Sequence, residues 1–137
     1  MKKEILFITG NKSKLEEVRD ITGLDIVSRK LDISEIQALD VRDVAEAKAL
    51  SAFKKTGQAV IVDDTGMNID ALNGLPGAFV SWFLDTLGPE GILDLLRDKK
   101  NRKASVSTCI AYADETGVHT FLGTVDGSIS INISGDN

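Results

Sequence analysis

Ala59-Val60-Ile61-Val62-Asp63-Asp64-Thr65-Gly66 is the stretch whose reading frames the whole chain. An apolar, mostly β-branched run, too short for a helix, ends in two carboxylates, a hydroxyl and a glycine. That pattern predicts a buried strand delivering acid groups at its carboxyl end, with Gly66 letting the backbone turn. In open α/β sheets ligands gather at that end of the strands. Adjacent carboxylates placed there can hold Mg²⁺, activate a water, or both. The same residues also suit a solvated acidic turn, because Asp and Gly dominate ordinary turns. On its own the stretch leaves both readings open.

Outward from it, strand and helix patterns alternate. Residues 4–9 form a short apolar run closed by Gly10-Asn11, a second buried strand. Between 12 and 22, Leu15, Val18 and Ile21 recur every three residues among charges, which predicts an amphipathic helix ended by Gly23. Residues 24–31 return as a strand. A second helix is expected over 43–55, with Asp43 as its N-cap, Val44, Ala47, Leu50 and Phe53 inward, and Gly57 as its stop. The strand at 59–62 then continues through Met67-Asn68-Ile69-Asp70. After the turn Gly74-Leu75-Pro76-Gly77, helices are expected over 78–86 and 89–98, the second with Pro89 in its first turn. Phe79, Trp82 and Phe83 on the first of these read as core; Trp82 as a base-stacking ring is the competing reading. Strands over 103–114, 117–125 and 127–134 complete the chain, the last alternating Ile129, Ile131 and Ile133 with polar residues.

A second candidate site lies where the first strand hands over to the first helix: Thr9-Gly10-Asn11-Lys12-Ser13-Lys14. Unpaired N–H groups at a helix start can hold phosphate oxygens, and Gly10 and Asn11 tolerate the unusual backbone such a loop needs. Lys12 and Lys14 add positive charge. The spacing is neither a Walker A loop nor a dinucleotide fingerprint. A plain capped turn explains the residues equally well.

The bulk numbers narrow the class. The 137 residues make one domain, 1–137, and 42% hydrophobic with 27% charged residues is an ordinary globular composition. A net charge of −5 gives no basic footprint for nucleic acid, and Lys99-Lys100-Asn101-Arg102-Lys103 reads as a solvated loop. No segment has the length of a membrane span, so no membrane partner and a cytoplasmic location are expected. Cys109, the only cysteine, and His119, the only histidine, cannot build a structural zinc site, and Cys109 reads as a small buried residue.

Taken together the motifs are more specific. Thr9-Gly10-Asn11 with Lys14-Leu15-Glu16-Glu17-Val18, then Ser34-Glu35-Ile36-Gln37, Asp63-Asp64-Thr65-Gly66, Ala71-Leu72-Asn73-Gly74-Leu75-Pro76-Gly77-Ala78 and Gly88-Pro89-Glu90-Gly91-Ile92 occur in the order of the inosine triphosphate pyrophosphatase family, which the chain resembles from residue 4 to about residue 130. The resemblance implies a mixed, elongated α/β sheet flanked by helices with a central cleft, assembled as a homodimer. It also implies Mg²⁺-dependent hydrolysis of non-standard purine nucleoside triphosphates (ITP, dITP, XTP) to the monophosphate and pyrophosphate. Asp64 matches the general base, which lies at the metal, and Glu35 an acidic metal-binding position; Asp63 matches a secondary metal or structural position. Thr9, Gly10, Asn11, Lys12, Ser13 and Lys14 match the triphosphate-binding segment, Thr65 a substrate contact, and Ser81 a helix start bordering the cleft.

Members of that family continue with a Phe-Gly-Tyr-Asp-Pro segment and a Ser-His-Arg motif that hold the purine. This sequence ends at Ser134-Gly135-Asp136-Asn137, where the first would begin. The expectation is therefore a chain that holds the triphosphate–Mg²⁺ unit better than it distinguishes bases. The alternatives are a nucleotide- or phosphate-binding remnant with little activity and a pyrophosphatase for modified pyrimidine nucleotides.

Overall fold

The computed structural model describes residues 4–9 and 12–131. Within them one sheet runs in the order β2-β1-β3-β5-β6. It is built from β1 (Ile5–Ile8), β2 (Ile26–Arg29), β3 (Val60–Ile69), β5 (Lys103–Asp114) and β6 (Gly117–Ser128), with the two-residue β4 (Pro76–Gly77) pairing onto β3. β1 lies parallel to β2 and to β3, whereas β5 and β6 continue antiparallel. The expected adjacency of the two short apolar runs is present: Leu6 faces Val60 and Phe7 faces Ile61.

Strand alternation assigns each residue of β3 to one of two faces. Val60 and Val62 join Leu6, Cys109, Ala111 and Ala113 against α2 (Val41–Thr56), through Val41, Ala45, Ala49 and Ala52. Ile61 points the other way, to Phe7, Ile26 and Leu15 of α1 (Lys12–Thr22). Further along that second face, Ile69 packs on Ile92 and Leu96, at and just beyond the end of α3 (Val80–Leu95). Among the described residues the second face is covered at its two ends, by α1 and by α3, with Thr65 exposed between them. The three clusters bury aliphatic side chains, each worth about 1.5–3 kcal/mol on leaving water.

Several sequence expectations shift. β3 does not turn at Gly66; the strand passes straight through it. A Cβ at Gly66 would sit 2.7 Å from Val41 Cγ1 and 2.8 Å from the Gly77 carbonyl oxygen, so this glycine serves close packing of α2 and β4. Gly77, with φ of 56°, admits the Leu39 carbonyl, which accepts the Ala78 N–H at 2.8 Å and fastens the 31–40 segment to β4. α2 starts two residues before the expected 43, with Asp40 as its N-cap accepting the Arg42 N–H at 2.9 Å and Asp43 in the first turn.

Its buried stripe is Val41, Val44, Ala45, Ala49 and Ala52, and Leu50 is exposed. On α1, Leu15 is buried but Ile21 is 76% exposed. Both differences have one cause: a three-residue step falls short of a full turn, so two steps rotate a side chain about 120° off the starting face. Trp82 is 72% exposed, not core. α3 buries Ile92 and half-buries Phe83, and the residue before Phe83 points about 100° away. The two helices expected over 78–86 and 89–98 are both present within α3: Gly88, with φ 70° and ψ 170°, is not helical and separates them, and Pro89 opens the second. The separate strand expected over 127–134 is absent among the described residues: β6 runs on to Ser128, and Ile129 N–H donates to the Arg102 carbonyl. Residues 132–134 lie outside them. Cys109 is fully buried, as expected of a small core residue.

Candidate active site

β1 stops at Ile8, and its last pairing with β3 is at Ile61. Among the described residues one edge of β3 is therefore without a neighbouring strand at Asp63 and Asp64, and the Asp63 carbonyl needs another donor. Lys48 of α2 supplies it, its Nζ lying 3.1 Å from that oxygen and 3.0 Å from Glu35 Oε1. The sequence reading missed Lys48. The signal was there: position 48 lies within the stripe 41, 44, 45, 49 and 52 that α2 turns to the sheet, and a lysine at such a register needs an anionic partner.

Asp64 shares the α2 face with Val62. Its Oδ2 is buried and has no hydrogen-bond partner among the described residues. An orphaned buried polar oxygen costs about 1–3 kcal/mol, which a cation or a bound water recovers. Burial pushes the Asp64 carboxyl up to about 6; Glu35 and Asp63 add to the rise, and Lys48 and, more weakly, Lys14 oppose it. As an ordinary ionised aspartate, Asp64 would need only position to act as a base. In the fold it is also a stronger base.

Asp63 is on the opposite face. There its Oδ2 accepts from Lys14 Nζ at 2.6 Å. The adjacent acids therefore do not act as one chelating pair: alternation sends one carboxylate to α2 and the other to α1. Thr65, exposed on the Asp63 face, shares a 3.1 Å hydrogen bond with Thr108 across β3 and β5.

Thr9 lines a cavity of about 170 Å³ with Ile8, Lys30, Leu31, Ile33, Glu35 and Lys48. This brings Thr9, Glu35 and Lys48 together; Asp64 does not line the cavity but feels the charges of both Lys48 and Glu35. Ser13 is exposed in the first turn of α1, where Lys12 also sits on the backbone. Gly10 and Asn11 lie outside the described residues. Ser81 is exposed in the first turn of α3, and no hydrogen bond among the described residues ties it to the other candidates. A larger cavity of about 700 Å³, lined by Arg97, Lys99, Lys100 and Arg102 with Glu90 and Asp94, carries none of the candidate groups. Convergent polar groups, not size, make the smaller cavity the candidate site.

The donor set can be tested against Mg²⁺. Among the described residues no group of three or more Asp, Glu, His or Cys converges on one point. Mg²⁺ does not require that: it keeps several waters and is held by one or two carboxylates plus substrate phosphates. Glu35 and Asp64, with the latter's unpartnered oxygen, fit that mode.

The Ham1 family model matches residues 5–137. The inosine triphosphate pyrophosphatase of Kluyveromyces lactis is 40% identical over 136 residues, covering 93% of this chain and 70% of that protein. The dITP/XTP pyrophosphatase of Methanopyrus kandleri is 37% identical, with 93% and 70% covered. Among solved structures, the Ham1 protein of Staphylococcus aureus superposes with a TM-score of 0.87 at 26% identity, over 98% of this chain and 76% of its own. A HAM1 protein from Coxiella burnetii superposes with a TM-score of 0.85 at 29% identity, over 100% and 77%.

Proposed function

The chain belongs to the Ham1 family, and on that premise we propose that it hydrolyses non-standard purine nucleoside triphosphates, of the ITP, dITP and XTP kind, to the monophosphate and pyrophosphate. It is a nucleoside triphosphate pyrophosphatase, a hydrolase. The observation that carries the site assignment is the buried, unpartnered Asp64 oxygen beside the Lys48–Glu35 pair at the open end of β1.

In this reading water attacks the α-phosphorus, the bond to the bridging oxygen breaks, and pyrophosphate leaves. Asp64 accepts the proton of the attacking water. Even in the ion-free fold the carboxyl, near 6, is mostly ionised at neutral pH, so it is free to accept a proton. Lys48 holds Glu35 in place and offsets its charge. Thr9, Ser13 and Lys14 face the triphosphate, with Gly10, Asn11 and Lys12 completing that segment and Thr65 and Ser81 as outer substrate contacts. Glu35 and Asp64 would hold Mg²⁺, which would supply charge neutralisation and polarisation of the phosphoryl group.

A second copy of the chain as partner and a cytoplasmic location belong to the same proposal. Phe121 and Val125, widely exposed on β6, support the first; sedimentation of the chain tests it. No helix among the described residues is long and apolar enough to cross a membrane.

The test is pyrophosphate release from ITP, XTP, GTP and modified pyrimidine triphosphates, with and without Mg²⁺. ITP and XTP should be cleaved fastest, and only with the ion. Cleavage of the pyrimidine nucleotides alone would move the chain to the alternative activity. Tight binding with no release from any of them would make it a binding remnant.

A further inference from the structure

Resting on the triphosphate assignment of residues 9–14, we propose that Asp63 is a positioning residue, which sets the Lys14 ammonium for the phosphates of the substrate. Three observations carry it. First, the acid is fixed and the base is not: the Asp63 side chain is 17% exposed within the sheet, while that of Lys14 is 46% exposed, and they meet at 2.6 Å. An ammonium on a flexible four-carbon stem gains a defined place from a rigid carboxylate.

Second, Lys14 sits where its own helix repels it. The first turn of α1 contains no acidic residue, and a cation there opposes the positive end of the helix dipole. A concentration of positive charge is what a polyphosphate requires, and in its absence the lysine needs a counter-charge to stay. Asp63 is that counter-charge, reaching α1 from a position 49 residues away.

Third, the same residue is fastened from the other side. Its carbonyl accepts Lys48 Nζ at 3.1 Å, so Asp63 ties a lysine of α1 by its side chain and a lysine of α2 by its main chain. The main-chain bond survives any side-chain replacement. Substitution at Asp63 therefore isolates the Lys14 limb.

Calorimetric titration of the full chain with inorganic triphosphate and with ITP, at fixed Mg²⁺, tests the proposal. Asp63→Ala should weaken both ligands alike by about tenfold, the size that supporting partners have at other sites. Asp63→Asn, which keeps the shape and one acceptor oxygen, should fall in between, and it provides the measurement should the alanine variant fold poorly. Lys14→Met should weaken binding at least as much, and Asp63→Ala added to Lys14→Met should cost nothing more. Unchanged or tighter binding by Asp63→Ala would overturn the proposal, because the carboxylate would then only compete with phosphate. An equal further loss in the Lys14→Met background would overturn it too, since Asp63 would then act on the fold in general. If Lys14→Met binds like the wild type, or the wild type does not bind, the triphosphate assignment itself fails and the proposal with it. A weakened Lys14→Met beside an unaffected Asp63→Ala removes the proposal alone.

Discussion

The two faces of β3 carry the same residue one position apart and use it in opposite ways. On the α1 face, Asp63 is a satisfied anion, paired with a half-exposed lysine. On the α2 face, Asp64 keeps one buried oxygen without a partner, and burial raises its proton affinity. The chemistry of the side chains is identical; only the 180° alternation of a strand separates them. One face commits its acid to holding a lysine, and the other leaves an acid oxygen without a partner among the described residues.

The sharpest way to break this contrast is kinetic. Asp64→Asn keeps the shape and removes the base, so pyrophosphate release should fall by about 10²–10⁴-fold with the fold intact. A variant that releases pyrophosphate at the wild-type rate would show the two faces to be equivalent. Next in size is packing. Gly66→Ala lies on the Asp64 face and would push a methyl against Val41 and the Gly77 carbonyl. Chemical denaturation should show a loss of about 1–3 kcal/mol.

The third effect runs the other way. In the ion-free fold Asp64 holds its proton up to about pH 6, whereas in the unfolded chain it releases it near 4. Between those values the native state binds more protons, so stability falls as pH rises through that window and stays low above it. Asp64→Asn removes the penalty. Its gain should be about 1–2 kcal/mol at pH 7.5, after discounting for partial exposure, and should fade to nothing by about pH 3, below both values. Urea denaturation in the presence of a chelator, at both ends of the window, reads this directly; a gain independent of pH would have another origin. Smallest is Thr65→Val on the other face. It loses one exposed hydroxyl bond to Thr108 and should change stability by no more than about 0.5 kcal/mol.

What was legible in the sequence follows from how far each signal reaches. The strand–helix alternation and the pairing of 4–9 with 59–62 could be read because buried parallel strands are continuous apolar runs bounded by glycine. Helix faces were less legible: a count of every third residue assigned Ile21 and Leu50 inward, and the true period rotated both outward. The acid pair was found, but its division between faces depended on β3 running straight through Gly66, and the sequence suggested a turn there. Lys48 was hidden for a related reason. A count of every third residue (44, 47, 50, 53) passes over position 48, which the true period places in the stripe that α2 turns to the sheet. The role of Gly77 was invisible because its partner, Leu39, is far away along the chain.

The straight passage of β3 through its acids has a mechanical consequence. Asp64 stands mid-way along a strand of 10 residues that β5 pairs along its whole length, from Val60 to Ile69. It cannot swing toward a ligand without unzipping the centre of the sheet. Glu35, by contrast, rides on a segment outside any helix or strand, fastened to β4 at Leu39. Asp64 is thus held by the sheet itself, whereas Glu35 is held by side-chain ties from α2, through Lys48 to its carboxylate and Lys55 to the Asp32 carbonyl.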